Sequence, residues 1–212
     1  MYLSRMYLNP QRRQGRALLA SPQKMHAAVL SSFPPIPVES DERVLWRLDR
    51  VHEKCVLYIV SPGVPSFEHL QEQAGWSQQQ TWDTRDYSTL LDRLLRGQRY
   101  YFRLTANPVV ATRVDGKQKR LPHVTPAQQQ QWLLERQERM GILLSDDSVQ
   151  VVGRERLSFD RRGKKVTLVR ATYEGMLEVA DVEKLKKVLN QGIGKAKGYG
   201  CGLLTLANLE VQ

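Results

Sequence analysis

The 212-residue sequence predicts an α+β protein with two tandem ferredoxin-like (RRM-like) βαββαβ domains. Two observations support this prediction. Strand-like and helix-like segments follow one another in the same β-α-β-β-α-β order twice, and the composition, with 41% hydrophobic and 25% charged residues, is that of a folded globular chain. We place the domains at residues 1–94 and 95–212. The halves share no sequence repeat, so only the predicted elements are duplicated.

The first half contains four predicted strands and two predicted helices. Ser21-Pro22 is typical of an N-cap followed by proline at the first helical position, and Met25, Ala28 and Val29 then form an apolar stripe. The segment from Asn9 to Arg16 is polar, and no helix or strand is predicted there. The predicted elements are the strands Tyr2–Leu8, Val44–Arg50, Cys55–Val60 and Thr81–Tyr87, and helices from Pro22 to about Ser32 and from Ser66 to Ala74.

The second half repeats this order with one long hairpin. Thr125-Pro126 predicts a second N-cap, Asp181 a third, and Asn107-Pro108 ends a strand. The segment from Arg113 to Val124 is predicted to be a basic loop. The predicted elements are the strands Arg99–Ala106, Val149–Phe159, Lys165–Val179 and Leu203–Ala207, a turn at Asp160–Gly163, and helices from Pro126 to about Arg139 and from Val182 to about Asn190.

The positive charge of the chain is concentrated in its second half. The net charge is +10, from 32 basic and 22 acidic residues. Residues 1–94 carry 11 basic and 10 acidic side chains, whereas residues 95–212 carry 21 and 12. This asymmetry indicates a face in the second half that binds a polyanion. The chain shows no signal peptide and no apolar stretch long enough to span a membrane, so we expect a cytoplasmic protein without membrane contact.

A loop rich in glycine and lysine, Gly192–Gly202, precedes the last predicted strand. Backbone N–H groups in such a loop can cradle phosphate oxygens, and its lysines add positive charge. It is neither a Walker loop nor a dinucleotide-binding loop, because no Ser or Thr follows a lysine and because it follows a helix. A tight packing turn is the alternative. The RNA-binding candidates in it are Gly192, Gly194, Lys195, Lys197, Gly200 and Gly202.

Basic residues also cluster in the predicted hairpin and near the N-terminus. A basic β-ribbon can enter a nucleic-acid groove and hold its phosphates, although many solvated hairpins are basic as well. The further RNA-binding candidates are Arg12, Arg13, Arg154, Arg156, Arg161, Arg162, Lys164 and Lys165.

The histidines and cysteines do not form a metal-ligand pattern. We therefore predict neither a metal nor a small-molecule cofactor. His52, His69 and His123 are interpreted as surface residues. His26 lies at the edge of an apolar helix stripe, and by pattern alone it is a structural histidine. Cys55 and Cys201 match no redox spacing, as expected of a reduced cytoplasmic protein.

Segments along almost the whole chain resemble the CasE family, the CRISPR-associated endoribonuclease of type I-E Cascade. The most specific are a helix histidine followed by Phe-Pro, and two Gly-x-Gly motifs five residues apart. The similar segments read MYLSRMYLNP, SPQKMHAAVLSSFPP, VLWRLD, YFRLTANP, TPAQQQQWLLER, ATYEGMLEV and GIGKAKGYGCGLLTLA.

The resemblance implies two ferredoxin-like domains and metal-independent cleavage of CRISPR repeat RNA at the base of its stem-loop. It further implies that the protein stays bound to the cut 3′ hairpin beside other Cascade subunits. His26 corresponds to the catalytic histidine, the loop to the glycine-rich RNA contact, and the basic hairpin to the stem-binding hairpin. Many relatives have tyrosine three residues before the histidine, where this chain has Gln23. Glutamine cannot titrate, so the role ascribed to that tyrosine falls to Gln23 as an orienting group, to a lysine, or to no residue.

Two questions of function stay open at this level. His26 can be the general base on the ribose 2′-OH or the general acid on the leaving 5′-oxygen, with Lys195 or Lys197 stabilising the phosphorane. Gln23 also leaves room for a non-catalytic subunit that only binds the RNA hairpin. An unrelated RRM-type protein is disfavoured because the strands lack the aromatic RNP pattern. Repeat specificity, the neighbouring subunits and the group that partners His26 are not set by the sequence.

Overall fold

The fold is known from a computed structural model that describes residues 1–34, 43–51, 53–114, 116–161 and 163–209. Within these ranges no helix is long and apolar enough to cross a membrane. His52 and Arg162, two residues singled out in the sequence, lie outside the described residues.

The first half forms one antiparallel sheet with helices packed on it. The strand order is β2-β3-β1-β4, which is the ferredoxin-like order. The Ser21 hydroxyl accepts from Lys24 N–H at 3.3 Å, so the predicted N-cap is confirmed. The elements are β1 (Tyr2–Leu8), α1 (Arg13–Ala20), α2 (Pro22–Leu30), β2 (Leu45–Val51), β3 (Lys54–Ser61), α3 (Glu68–Ala74), β4 (Trp82–Asp86) and the short α4 (Ser88–Leu91).

The second half repeats this topology. Its sheet has the order β11-β5-β10, and β10 pairs on its other side with β9 and β8. The β9–β10 hairpin is much longer than the rest of the sheet. The elements are β5 (Arg99–Ala106), β6 (Val109–Val114), β7 (Lys117–Pro122), α5 (Pro126–Leu134), α6 (Gln137–Met140), β8 (Ile142–Leu143), β9 (Val149–Arg161), β10 (Lys164–Val179), α7 (Val182–Gln191) and β11 (Leu204–Asn208).

Three predictions of secondary structure need correction. The polar segment after β1 contains helix α1, whose Leu18 is buried against the core. The predicted basic loop from Arg113 to Val124 is largely a two-stranded hairpin of β6 and β7. The helix predicted to continue to Arg139 ends at Leu134 and is followed by the separate short helix α6.

The two halves share a buried polar contact. The Arg47 side chain on β2 is 2% exposed and donates to both carboxylate oxygens of Asp49, at 2.8 and 2.9 Å. It also donates to the carbonyl oxygens of Arg103 and Leu203 and to the Thr205 hydroxyl in the second half, at 2.8, 3.1 and 2.9 Å. These bonds fix β2 against β5 and β11. The boundary at residue 94 stays a prediction.

Candidate active site

His26 stands on α2 and faces the glycine-and-lysine loop of the other half. Its ring is half-buried, and a Cβ added at Gly198 would lie 3.2 Å from its Nε2 atom. On the opposite side of the ring, Nδ1 lies 3.3 Å from the indole Nε1 of Trp46 on β2. His26 is therefore held between the first sheet and the loop of the second domain.

The loop adopts a conformation that requires most of its glycines. Gly192, Gly194, Gly200 and Gly202 have positive φ angles of 70°, 75°, 76° and 92°, as does the non-glycine Ala196 at 62°. The loop closes on itself where Ile193 N–H donates to the Gly202 carbonyl at 3.0 Å. Gly202 N–H donates to the Thr105 carbonyl on β5 at 2.7 Å. These bonds fix the loop at one place on the sheet.

A groove of about 1530 Å³ opens where His26 meets the loop. Gln23 and His26 line one side, and the loop from Gly192 to Tyr199 lines another. Positive side chains from both halves surround it, so the groove suits a polyanion. Its basic lining residues are Arg43, Arg120, Arg136, Arg139, Lys184, Lys187, Lys195 and Lys197.

The two loop lysines differ in environment. Lys197 is half-buried, and its ammonium donates to the Gln191 carbonyl at the end of α7 at 2.6 Å. Burial, together with the positive charge of Arg43, Lys195 and Arg139, lowers the pKa of Lys197. Lys195 is exposed in the groove. Of the two, Lys195 is the better placed to meet a phosphate, while Lys197 also holds the loop in shape.

Gln23 is exposed one helical turn before His26 and lines the same groove. Residues three apart on a helix share a face, so its amide and the imidazole can reach one ligand. The amide offers both a donor and an acceptor for orienting a substrate.

The predicted basic residues outside the loop fall into two groups. The Arg12 guanidinium donates to carbonyl oxygens at the C-terminal end of α3 and thus caps that helix. Arg12 and Arg13 lie at the start of α1, and neither lines the groove. Arg154 and Arg156 are exposed on β9, and in the strand register Lys165 lies opposite Asp160 and Arg161 opposite Lys164 at the hairpin end.

The hairpin contacts the loop directly. The rings of Phe159 on β9 and Tyr199 in the loop lie 4.8 Å apart at their centroids. Arg170 on β10 donates to the Tyr199 carbonyl at 3.5 Å. The loop therefore contacts His26 on one side and the outer half of the hairpin, towards its turn, on the other.

Several site residues were missed by sequence reasoning. Three missed residues line the groove from helices α6 and α7, and in the sequence they look like ordinary solvated helix positions. They are Arg139, Lys184 and Lys187. Arg120 was assigned to a loop rather than to the β6–β7 hairpin. Trp46 is 1% exposed and carried no signal besides that of a core aromatic. Identifying each of these site residues requires the spatial positions of segments that are distant in sequence.

His69 and the buried Cys55 and Cys201 belong to the scaffold. Nε2 of His69 lies 3.2 Å from the Ala28 carbonyl, so this half-buried residue joins α3 to α2 and is not the surface residue expected. Cys201 is fully buried in the loop, and burial raises its pKa to about 12. Its thiol therefore stays protonated at neutral pH. Among the described residues, no group of three His, Cys, Asp or Glu side chains could hold a metal ion.

Two ferredoxin-like units with a histidine at a basic groove between them define a class of RNA-binding protein with a candidate nuclease site. Comparisons with known proteins give the family. The family model described as CRISPR associated protein matches residues 1–208. The CRISPR-associated endoribonuclease Cse3 of Thermus thermophilus is 32% identical over 221 residues, which cover 98% of this chain and 100% of that relative.

Two further comparisons agree. A solved structure of Cse3 bound to a 19-nucleotide RNA superposes with a TM-score of 0.81 at 32% identity, covering 98% of this chain and 100% of that one. The Cascade subunit CasE of Escherichia coli K12 is 35% identical over 118 residues, 51% of this chain and 58% of that relative. The chain belongs to the CasE (Cse3) family of CRISPR-associated endoribonucleases.

Proposed function

We propose that this protein cuts CRISPR repeat RNA at the base of its stem-loop and stays bound to the 3′ hairpin as a subunit of Cascade in the cytoplasm. The observation that carries the proposal is His26 Nε2, which faces the Gly198 backbone at a basic groove formed by both halves. Its relatives support it, since Cse3 has been solved both with a 19-nucleotide RNA and with an RNA representing a pre-cleavage complex.

The reaction we propose uses the nucleophile that RNA itself carries. The ribose 2′-oxygen attacks the adjacent phosphorus, the bond from phosphorus to the 5′-oxygen breaks, and the products are a 2′,3′-cyclic phosphate and a 5′-hydroxyl. The protein needs to hold these atoms in line and to stabilise the charge on the phosphorane. His26 acts on the scissile phosphate through Nε2. Lys195 and the loop amides hold the phosphate, and Gln23 orients it.

The stem of the RNA lies against the basic hairpin in this proposal. A-form RNA hides the base edges of its deep major groove, so recognition relies on shape and phosphate contacts. Strand alternation and register place Arg154, Arg156 and Lys165 on one face of the β9–β10 hairpin. In the sequence, Arg161, Arg162 and Lys164 add further positive charge at the turn of this hairpin.

The test is a single-turnover cleavage assay on the repeat RNA of the source organism, with EDTA present. His26→Ala should slow cleavage by about 10²–10⁴-fold, the usual size of an acid–base or oxyanion contribution, with RNA affinity nearly unchanged. His123→Ala is the matched control, because His123 is also half-buried but does not line the groove. A 2′-deoxy substitution at the scissile nucleotide should abolish cleavage. Cleavage of the deoxy RNA, or loss of cleavage on adding EDTA, contradicts the proposal.

A second candidate is a subunit that binds the RNA hairpin without cutting it. Gln23 favours it, because the groove then lacks a titrating side chain one turn before His26. The same assay separates the two: a gel shift with uncut RNA identifies the binder, and cleavage without metal identifies the enzyme.

A further inference from the structure

We propose that Trp46 is a positioning residue that holds His26 as a neutral imidazole with its proton on Nε2, so that His26 acts by donating a hydrogen bond to the scissile phosphate. This inference rests on the proposed function. It concerns the form of His26 that takes part in cleavage, which the sequence left open between a general base and a general acid.

The chemistry of the two rings fixes the tautomer. The indole N–H can only donate a hydrogen bond. Trp46 Nε1 lies 3.3 Å from His26 Nδ1, so Nδ1 is the acceptor in this contact. A neutral imidazole with an accepting Nδ1 carries its proton on Nε2. Nε2 is the atom that faces Gly198 beside the groove.

The loop glycines keep both rings in place. A Cβ added at Gly200 would lie 2.6 Å from Cζ3 of Trp46, and one at Gly198 would lie 3.2 Å from Nε2 of His26. Trp46 is 1% exposed, so its ring has no room to turn its N–H elsewhere without moving the loop. The tautomer of His26 is therefore built into the contact between the two halves.

The Trp46 contact opposes both proton-transfer roles. A general base needs a bare Nε2, which would place the proton on Nδ1 against the indole N–H. A general acid needs the imidazolium, which also carries a proton on Nδ1. The favoured form keeps its Nε2 proton throughout and stabilises negative charge on a non-bridging oxygen, as neutral histidines do in other enzymes.

The step then balances without proton transfer by His26. The 2′-oxygen forms its bond to phosphorus and gives its proton to solvent. The bond to the 5′-oxygen breaks with its electron pair, and that oxygen takes a proton from water. His26 supplies a hydrogen bond that strengthens as charge develops on the phosphorane.

The first experiment removes the indole N–H while keeping the ring. Replacement of Trp46 by benzothienylalanine, in which sulfur takes the place of N–H, should slow single-turnover cleavage about tenfold, the effect of one lost neutral hydrogen bond. RNA affinity should stay unchanged, and the melting temperature should fall by no more than a few degrees, since one hydrogen bond contributes about 1 kcal/mol to stability. In ¹⁵N NMR of the free protein, the His26 signals, assigned by their loss in His26→Gln, should shift from the Nε2–H tautomer towards a mixture. Trp46→Phe is the genetically simpler companion.

The second experiment asks what His26 contributes. His26→Gln supplies an amide N–H donor but no titrating group, so it should recover at least about tenfold of the rate lost in His26→Ala, the effect of one hydrogen bond. A repeat RNA with a 5′-sulfur leaving group needs no general acid, and it should not rescue His26→Ala. Rescue by that RNA, an inactive His26→Gln, or a fully active benzothienylalanine protein would each overturn the inference. Among these variants, an active His26→Ala is the one that would count against the proposed function itself, as would the deoxy-RNA and EDTA outcomes given above.

Discussion

The candidate site requires two positions without a side chain, as well as the side chains that line it. Gly198 leaves space for the His26 ring, and Gly200 leaves space for the Trp46 ring. Both glycines belong to a loop whose backbone also needs left-handed conformations, at Gly200 with φ of 76°. A side chain at either position would therefore disturb the contact between imidazole and indole.

Gly200→Ala, compared with a control, should separate the cost of a left-handed backbone from the cost of a clash with Trp46. Alanine in the left-handed region costs about 1–2 kcal/mol wherever it occurs. Gly97→Ala is the control, since Gly97 has φ of 85° but nothing within 4 Å of an added Cβ. We expect Gly200→Ala to lower the free energy of unfolding by about 1–3 kcal/mol more than the control, because its methyl group meets Trp46. Urea denaturation measures this difference, and single-turnover cleavage should fall only in Gly200→Ala. Equal effects of the two substitutions would refute it.

The sequence could predict part of this site because its signals are local. His26 and the glycine spacing lie within short motifs, and Ser21-Pro22 sets the start of the helix that carries the histidine. Trp46 could not be predicted as a site residue, because a strand tryptophan reads as core and its partner is 20 residues away in sequence. Ala196 also escaped notice, since the left-handed region is rare for alanine.

At the scale of elements, hydrophobic pattern separates the predictions that succeed from those that fail. The strands β1, β5 and β10 carry apolar residues that pack in the core, and all were located from that pattern. β7 is exposed along its whole length and reads as a basic loop, because no apolar face marks it. Its pairing with β6 is set by backbone bonds, which leave no trace in side-chain periodicity.

The β9–β10 hairpin should contribute affinity through phosphates. Arg156 and Lys165 are exposed on the same face of this hairpin. We expect Arg156→Glu with Lys165→Glu to weaken RNA binding and to reduce the slope of log affinity against log salt by about 1–2, since each lost phosphate contact lowers the slope by roughly 0.7–0.9. The measurement is a filter-binding series across salt concentrations.

The charge-matched control for the hairpin is Arg85→Glu with Arg93→Glu. Both arginines are exposed, and they lie on β4 and directly after α4, away from the groove and the hairpin. The control changes net charge by the same amount, so it corrects for long-range attraction. An equal loss of affinity in both double variants would mean that the hairpin binds no phosphate directly.

At the scale of the whole molecule, function depends on how the two halves are joined. The groove takes Gln23 and His26 from the first half and the loop from the second. The hydrophobic cluster around β5 and β10 also includes Leu45 and Val60 of the first sheet. Sequence pattern predicted the two units, but their relative placement rests on contacts such as Arg47 with Leu203, 156 residues apart, which periodicity cannot reveal.

Arg47→Met tests how far the contacts of Arg47 hold the two halves together. The substitution keeps much of the side-chain volume but leaves the buried Asp49 carboxylate without its two short hydrogen bonds, and Arg103 Nε is 3.4 Å away. Loss of one partner of a buried pair costs about 3–5 kcal/mol, so the free energy of unfolding should fall by that amount. Arg5→Met is the matched control, because Arg5 pairs with Asp83 at 2.7 Å with both side chains nearly half exposed. It should cost less than about 1 kcal/mol.

The cleavage rate of Arg47→Met shows whether the bonds of Arg47 align the two halves or only stabilise the fold. Arg47 adjoins Trp46 on β2, and its bonds to Leu203 and Thr205 hold that strand against the segment that follows the loop. If these bonds set the position of His26 relative to the loop, single-turnover cleavage should fall at temperatures where circular dichroism shows the variant fully folded. Arg47→Met with Asp49→Leu removes the unpaired charge and should regain stability. It should not regain the rate, because the bonds to the second half are still missing. A double variant that recovers both stability and rate would show that the two halves keep their alignment by apolar packing alone.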